Sequence, residues 1–167
     1  MLMRPLLTAR RTYCQVPYFL ISHRDMVLDG QNPTLLYGYG GFEISLTPSY
    51  AAVVGAGWLS PSRQEQSSKH TCFVMANIRG GGEFGPNWHQ QALKQNRWVG
   101  RSVGRDANEK KLCTPSLTAP LCRRLAYDDF IAVAEDLIRR QVTSPARLGI
   151  RGGSNGGLLM GNMMVIE

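Results

Sequence analysis

The chain is built from short apolar runs, glycine-rich turns and one long amphipathic segment. Residues 16–21 and 34–37 are compact runs with β-branched and aromatic members on either side of the turn pair Asp29-Gly30, and they predict two neighbouring strands. Residues 72–78 form a third run, continuous apart from Asn77, as a strand buried on both faces requires. Small and apolar residues predict a short helix over 50–59, and a second short helix is predicted over 87–95, after Pro86. Over residues 126–141 the apolar positions Tyr127, Phe130, Ile131, Ala134, Leu137 and Ile138 recur at helical spacing, opposite Asp128, Asp129, Glu135, Asp136, Arg139 and Arg140. Asp128 and Asp129 fall in the first turn of this helix, where the dipole favours a solvated carboxylate. Ser144-Pro145 ends the helical region, residues 147–150 predict a short strand, and Gly152-Gly153 turns into a helix over 155–166. This alternation predicts an α/β fold with a mostly parallel sheet and helices on both faces, because each right-handed crossover lays a helix on the sheet.

Chemistry concentrates at the last turn. In Arg151-Gly152-Gly153-Ser154-Asn155-Gly156-Gly157 a serine framed by glycines stands between a strand and a helix, which is the pattern of a nucleophile elbow. The strained turn pushes the Ser154 hydroxyl outward, and the following helix points its N-terminus and the Asn155 amide at a developing oxyanion. A second donor is expected from a glycine-rich loop after an earlier strand, the place that Tyr37-Gly38-Tyr39-Gly40-Gly41-Phe42 occupies; Tyr39 adds a phenolic hydroxyl. No Asp or His stands after Ser154, and His89, beside Trp88, is a weak candidate base because it sits on a different connection. Gly80, Gly82 and Gly85 match Gly-x-Gly-x-x-Gly, with Asp106 about twenty residues on, so a dinucleotide site competes with a structural loop. Asn77 and Arg79 interrupt its strand, and Pro86 intervenes before the helix.

Composition narrows the remaining classes. A length of 167 residues with 43% hydrophobic content suits one globular unit, and no apolar stretch is long enough to span a bilayer. The first nine residues lack the sustained apolar region of a secretory signal, so the cytoplasm is the expected compartment; Arg4, Arg10 and Arg11 before the first acidic residue, Asp25, leave organellar import open. Cys14, Cys72, Cys113 and Cys122 form no Cys-x-x-Cys pair and His23, His70 and His89 are scattered, so no metal site is expected and the thiols read as reduced. Five of the seven net positive charges fall within residues 97–124, an irregular stretch with Gly100, Gly104, Pro115 and Pro120. Without interleaved aromatics beyond Trp98 it reads as a basic insertion and not as a nucleic-acid surface.

Three segments carry a resemblance: Asn32-Pro33-Thr34-Leu35-Leu36-Tyr37-Gly38-Tyr39-Gly40-Gly41-Phe42, Ala76-Asn77-Ile78-Arg79-Gly80-Gly81-Gly82-Glu83-Phe84-Gly85, and Thr143-Ser144-Pro145 through the elbow to Leu159. Together, and in this order, they resemble the prolyl oligopeptidase family of serine peptidases over about residues 16–164. Asp129, Leu137, Gly152, Ser154, Gly156 and Gly157 fall at the spacing of the family signature, with Val133 where the signature has Ala. The resemblance implies a partial α/β-hydrolase fold over residues 16–167, after an N-terminal extension over 1–15. It implies Ser154 as the acylated nucleophile, the Asn155 amide and the Tyr39 hydroxyl as oxyanion donors, and Phe42 lining the pocket for the side chain before the scissile bond. The implied reaction is two-step acyl transfer on short peptides, with no cofactor. The family's Asp and His lie downstream of the elbow, and its β-propeller has no counterpart in these residues. Residues 61–70 and 98–124 look foreign to the family and read as insertions, the basic one with an intron-like origin. The chain is thus expected to be a fragment of the catalytic domain whose elbow strand is an exposed sheet edge. Its expected partners are a peptide substrate and the remainder of that domain, with neither nucleic acid nor membrane. The alternative, from another class, is a catalytically inactive fragment acting as an interaction module.

Overall fold

Strict alternation along three short runs decides which side chains meet across the sheet. The computed structural model describes residues 2–9, 15–60, 70–93 and 125–166; the insertions expected at 61–70 and 98–124 lie outside these residues except for His70. The elements in chain order are β1 (Leu2–Ala9), β2 (Val16–Ser22), β3 (Thr34–Gly38), α1 (Ala52–Gly55), β4 (Cys72–Ala76), α2 (Pro86–Gln90), α3 (Leu125–Arg139), β5 (Leu148–Arg151) and α4 (Asn155–Ile166), with a 3-10 turn at Pro145–Arg147 before β5. They form one sheet in the order β1-β2-β4-β3-β5. Strands β4, β3 and β5 run parallel, with Leu36 opposite both Val74 and Ile150, while β1, β2 and β4 pair antiparallel. Residues 2–9, set apart by the sequence as an extension, thus add an outer strand; its register shifts between Arg4 and Leu7, around the missing N–H of Pro5.

One face of the sheet presents Tyr18, Leu20, Leu36, Val74 and Ala76 to Phe130, Val133 and Leu137 of α3 and to Leu159 and Met163 of α4. The other face presents Ile21 and Phe73, with Leu35, Tyr37 and Met75, to Val54, Trp58 and Leu59. Helices therefore cover both faces, unequally. Only residues 52–55 of the helix expected over 50–59 are helical, and none of them is buried. Beyond them Trp58 anchors the segment by donating its Nε1–H to the Cys72 carbonyl at 2.8 Å. Between this segment and the sheet lies an apolar cavity of about 280 Å³, lined by Tyr37, Val54, Leu59, Phe73, Met75 and Arg151. The Cys72 thiol is pushed up to about 12 by burial, so it stays protonated and behaves as a small apolar group.

Helix α3 departs from its expected polar face. Asp129 and Asp136 are 1% and 2% exposed, not solvated. A buried carboxylate persists when hydrogen bonds replace its water. Asp136 accepts the Tyr18 hydroxyl at 2.7 Å and the Arg140 Nε–H at 2.7 Å, with the Arg139 guanidinium on its other oxygen. At the opposite side of the sheet β5 is the outermost strand, and its residues are mostly exposed. Among the described residues no helix is long and apolar enough to cross a membrane.

Candidate active site

Strand β5 ends at Arg151 and α4 starts at Asn155, so three residues make the whole reversal. Ser154 is exposed and sits at φ +52°, in the left-handed region that a side chain normally avoids. The turn is closed by the Gly156 N–H on the Gly153 carbonyl at 2.8 Å and the Gly157 N–H on the Ser154 carbonyl at 2.9 Å. Helix α4 then touches the sheet backbone directly, because a Cβ on Gly156 would lie 2.5 Å from the Gly38 carbonyl oxygen at the end of β3.

The loop after β3 is clasped to this turn by a side chain. Asn155 Nδ2–H donates to the Tyr39 carbonyl at 2.7 Å, and its amide occupies the space that a Cβ on Gly41 would need. Phe42 and Glu43 follow at φ +54° and +56°, a tight reversal closed by the Ile44 N–H on the Gly41 carbonyl at 3.1 Å. Ser154, Asn155 and Tyr39 are therefore joined through one turn and one hydrogen bond, with the Tyr39 side chain half-buried. Phe42 stands 72% exposed on the same loop.

A third loop, between β4 and α2, braces the second. The Gly80 carbonyl accepts the Glu43 N–H at 3.3 Å and lies 2.6 Å from His89 Nδ1, which itself lies 3.2 Å from the same Glu43 nitrogen. Leu46 N–H donates to Glu83 Oε1 at 2.9 Å, and Gly82 N–H to the Ile44 carbonyl at 3.3 Å. The Gly-x-Gly-x-x-Gly segment is thus bonded to residues 43–46, and Asp106 lies outside the described residues. Among the described residues no group of three His, Cys, Asp or Glu side chains could hold a metal ion.

Two features escaped the sequence. The Asn155 side chain, and not only its backbone, contacts the second loop. Asp129, assigned to a solvated helix face, instead accepts the Arg79 backbone N–H at 2.9 Å and Nε–H at 2.8 Å on Oδ2, with a second guanidinium nitrogen on Oδ1. Burial pushes the Asp129 carboxyl up, opposed by these bonds from Arg79. A signal was present: Asp129 stands three and four residues from Ala126 and Val133, both buried, and seven from Asp136.

Comparison with known proteins gives relatives by sequence and by fold. Residues 123–166 match the model of the prolyl oligopeptidase family. The chain is 48% identical to an uncharacterized peptidase of Sinorhizobium fredii over 151 residues, covering 90% of this chain and 16% of that protein. It is 32% identical to a prolyl endopeptidase of Elizabethkingia miricola, over 92% of this chain and 17% of the enzyme. A solved post-proline cleaving enzyme from Rickettsia typhi superposes with a TM-score of 0.70 at 35% identity, over 95% of this chain and 18% of that one. The chain spans about a sixth of the length of the curated relatives it matches, and its fold is that part of an α/β-hydrolase catalytic domain.

Proposed function

We propose that this chain, which belongs to the prolyl oligopeptidase family, carries the nucleophile and oxyanion part of a serine-peptidase site for short peptides. Ser154 Oγ attacks the carbonyl carbon of the scissile bond and gives its proton to a base, while the carbonyl oxygen becomes an oxyanion at the N-terminus of α4. The Asn155 N–H and the Tyr39 hydroxyl donate to that oxygen. Collapse breaks the C–N bond, and the amine leaves with the proton held by the base. Water then attacks the acyl-serine by the same route, releasing the carboxylic acid and restoring Ser154. Phe42 lines the site of the side chain before the cleaved bond, and the cycle needs no cofactor.

The left-handed Ser154 at a strand-to-helix turn, clasped to the Tyr39 loop by Asn155, carries this reading. In this reading the base is the downstream His that the family resemblance implies, and not His89, whose Nδ1 lies against the Gly80 carbonyl and the Glu43 N–H. A fluorophosphonate probe tests it. The expected result is slow labelling that Ser154→Ala abolishes, accelerated by about three orders of magnitude when a separately expressed family segment with the downstream Asp and His is added. A folded sample that stays unlabelled in both settings rejects the peptidase.

Among the described residues no strand pairs with the outer edge of β5, and this edge with the exposed Leu158, Met164 and Val165 favours a second reading, an interaction module without catalysis. Partner binding that is unchanged by Ser154→Ala, together with absent labelling, would establish it.

A further inference from the structure

We propose that Asp129 and Arg79 are positioning residues that hold the Tyr39 loop at the elbow, a role that rests on Tyr39 and Ser154 acting as donor and nucleophile. The pair is 1% and 3% exposed. A buried ion pair is weak evidence for stability, because an apolar pair of similar volume often serves as well. An apolar side chain could not do what Asp129 does to the backbone: its Oδ2 accepts the Arg79 N–H and Nε–H together, which fixes the Ile78–Arg79 peptide plane one residue before Gly80.

From Gly80 onward the constraint passes through backbone. Gly80 takes φ +102°, and a Cβ there would collide with the Gly40 carbonyl oxygen. Gly40 is itself packed on Ile78, whose Cδ1 would lie 2.5 Å from an added Cβ. The Gly80 carbonyl then receives the Glu43 N–H at 3.3 Å. The residues on either side of Gly40 are Tyr39 and Gly41, the two that meet the Asn155 side chain. Because Gly80 meets the Gly40 carbonyl directly, backbone against backbone, a shift at Arg79 moves the loop that carries Tyr39.

The same turn of α3 supports the other end of that loop. Phe130, next to Asp129, lies under Gly38 so closely that a Cβ would sit 2.7 Å from its ring. Phe130 thus sets where the chain leaves β3, and Asp129, through Arg79, sets where the loop returns at residues 40–43. Arg79→Lys keeps the charge but cannot reproduce the two-oxygen grip, and Asp129→Asn keeps the shape while losing the charge.

Amide hydrogen exchange on the whole chain tests this without using the chemistry of Ser154. In Asp129→Asn and Arg79→Lys, exchange at Glu43, Ile44 and Gly82 should quicken about tenfold while the amides of β2 and β4 keep their rates. Leu137→Ala, which removes core volume away from the loops, is the control that should quicken exchange throughout the sheet. In the complemented protein, fluorophosphonate labelling of Ser154 should slow by about tenfold at saturating probe in both loop variants. If Asp129→Asn does not fold, Arg79→Lys carries the same comparison. Acceleration spread evenly as in the control, or none at all, overturns the positioning role whatever the labelling does. Local acceleration in a chain whose wild type never labels supports the coupling and overturns the peptidase on which its catalytic meaning rests.

Discussion

Helices α3 and α4 lie on the same face of the sheet and are built oppositely. In α3 ten residues are buried, including the two carboxylates Asp129 and Asp136, and the charged Glu135 and Arg139 face outward. Helix α4 carries no charged residue; it turns Leu159 and Met163 inward and leaves Leu158, Met164 and Val165 58%, 81% and 87% exposed. A helix that is apolar on every side is normally covered on every side. The difference teaches where the elbow gets its shape. Ser154 is presented by the first turn of α4, through Gly156 on Gly38 and Asn155 on Tyr39, and the outer side of that helix takes no part.

The contrast breaks most visibly at α3. Phe130 is 1% exposed and supports both the core and Gly38, so Phe130→Ala should cost about 3–5 kcal/mol, read as a lowered urea midpoint at unchanged slope. A loss below about 1 kcal/mol would mean that α3 is no more firmly packed than α4. A smaller and more local effect is expected inside the elbow. Gly156→Ala pushes a methyl into the Gly38 carbonyl and should cost about 1–3 kcal/mol together with most Ser154 labelling in the complemented protein. Gly153→Ala meets nothing within 4 Å and should stay within about 0.5 kcal/mol of wild type. Equal effects at the two glycines would show that the turn is not held by contact with β3.

How much of this was legible follows from range. The strands near 16–22, 34–38 and 72–76 and the helix near 125–139 announced themselves because each buries a pattern written in its own residues. The elbow was legible for the same reason, since the turn needs its glycines locally. Strand β1 was not, because an edge strand interrupted by Pro5 has little period of its own and exists by pairing with β2. The bond between Asp129 and Arg79 spans 50 residues, and a carboxylate on a helix reads as solvated until its partner is placed. The clasp of Asn155 on Tyr39 spans 116, and only the parallel pairing of β3 with β5 brings the two loops together.

The smallest effect sharpens the comparison furthest. Met164→Lys with Val165→Lys places two charges on the outer side of α4, where both side chains already face solvent. Stability of the isolated chain should change by no more than about 0.5 kcal/mol, measured by urea unfolding. The same pair should oppose any segment that completes the site by packing over α4 beside β5, because two lysine charges would then be stripped of water without a partner. Complementation by the segment bearing Asp and His should therefore require at least about tenfold more of it, with the limiting labelling rate at saturation unchanged. If stability instead falls by 2 kcal/mol or more, the outer side of α4 is already packed within the chain, and the division between a presented nucleophile and an uncompleted site fails at the helix where it was drawn.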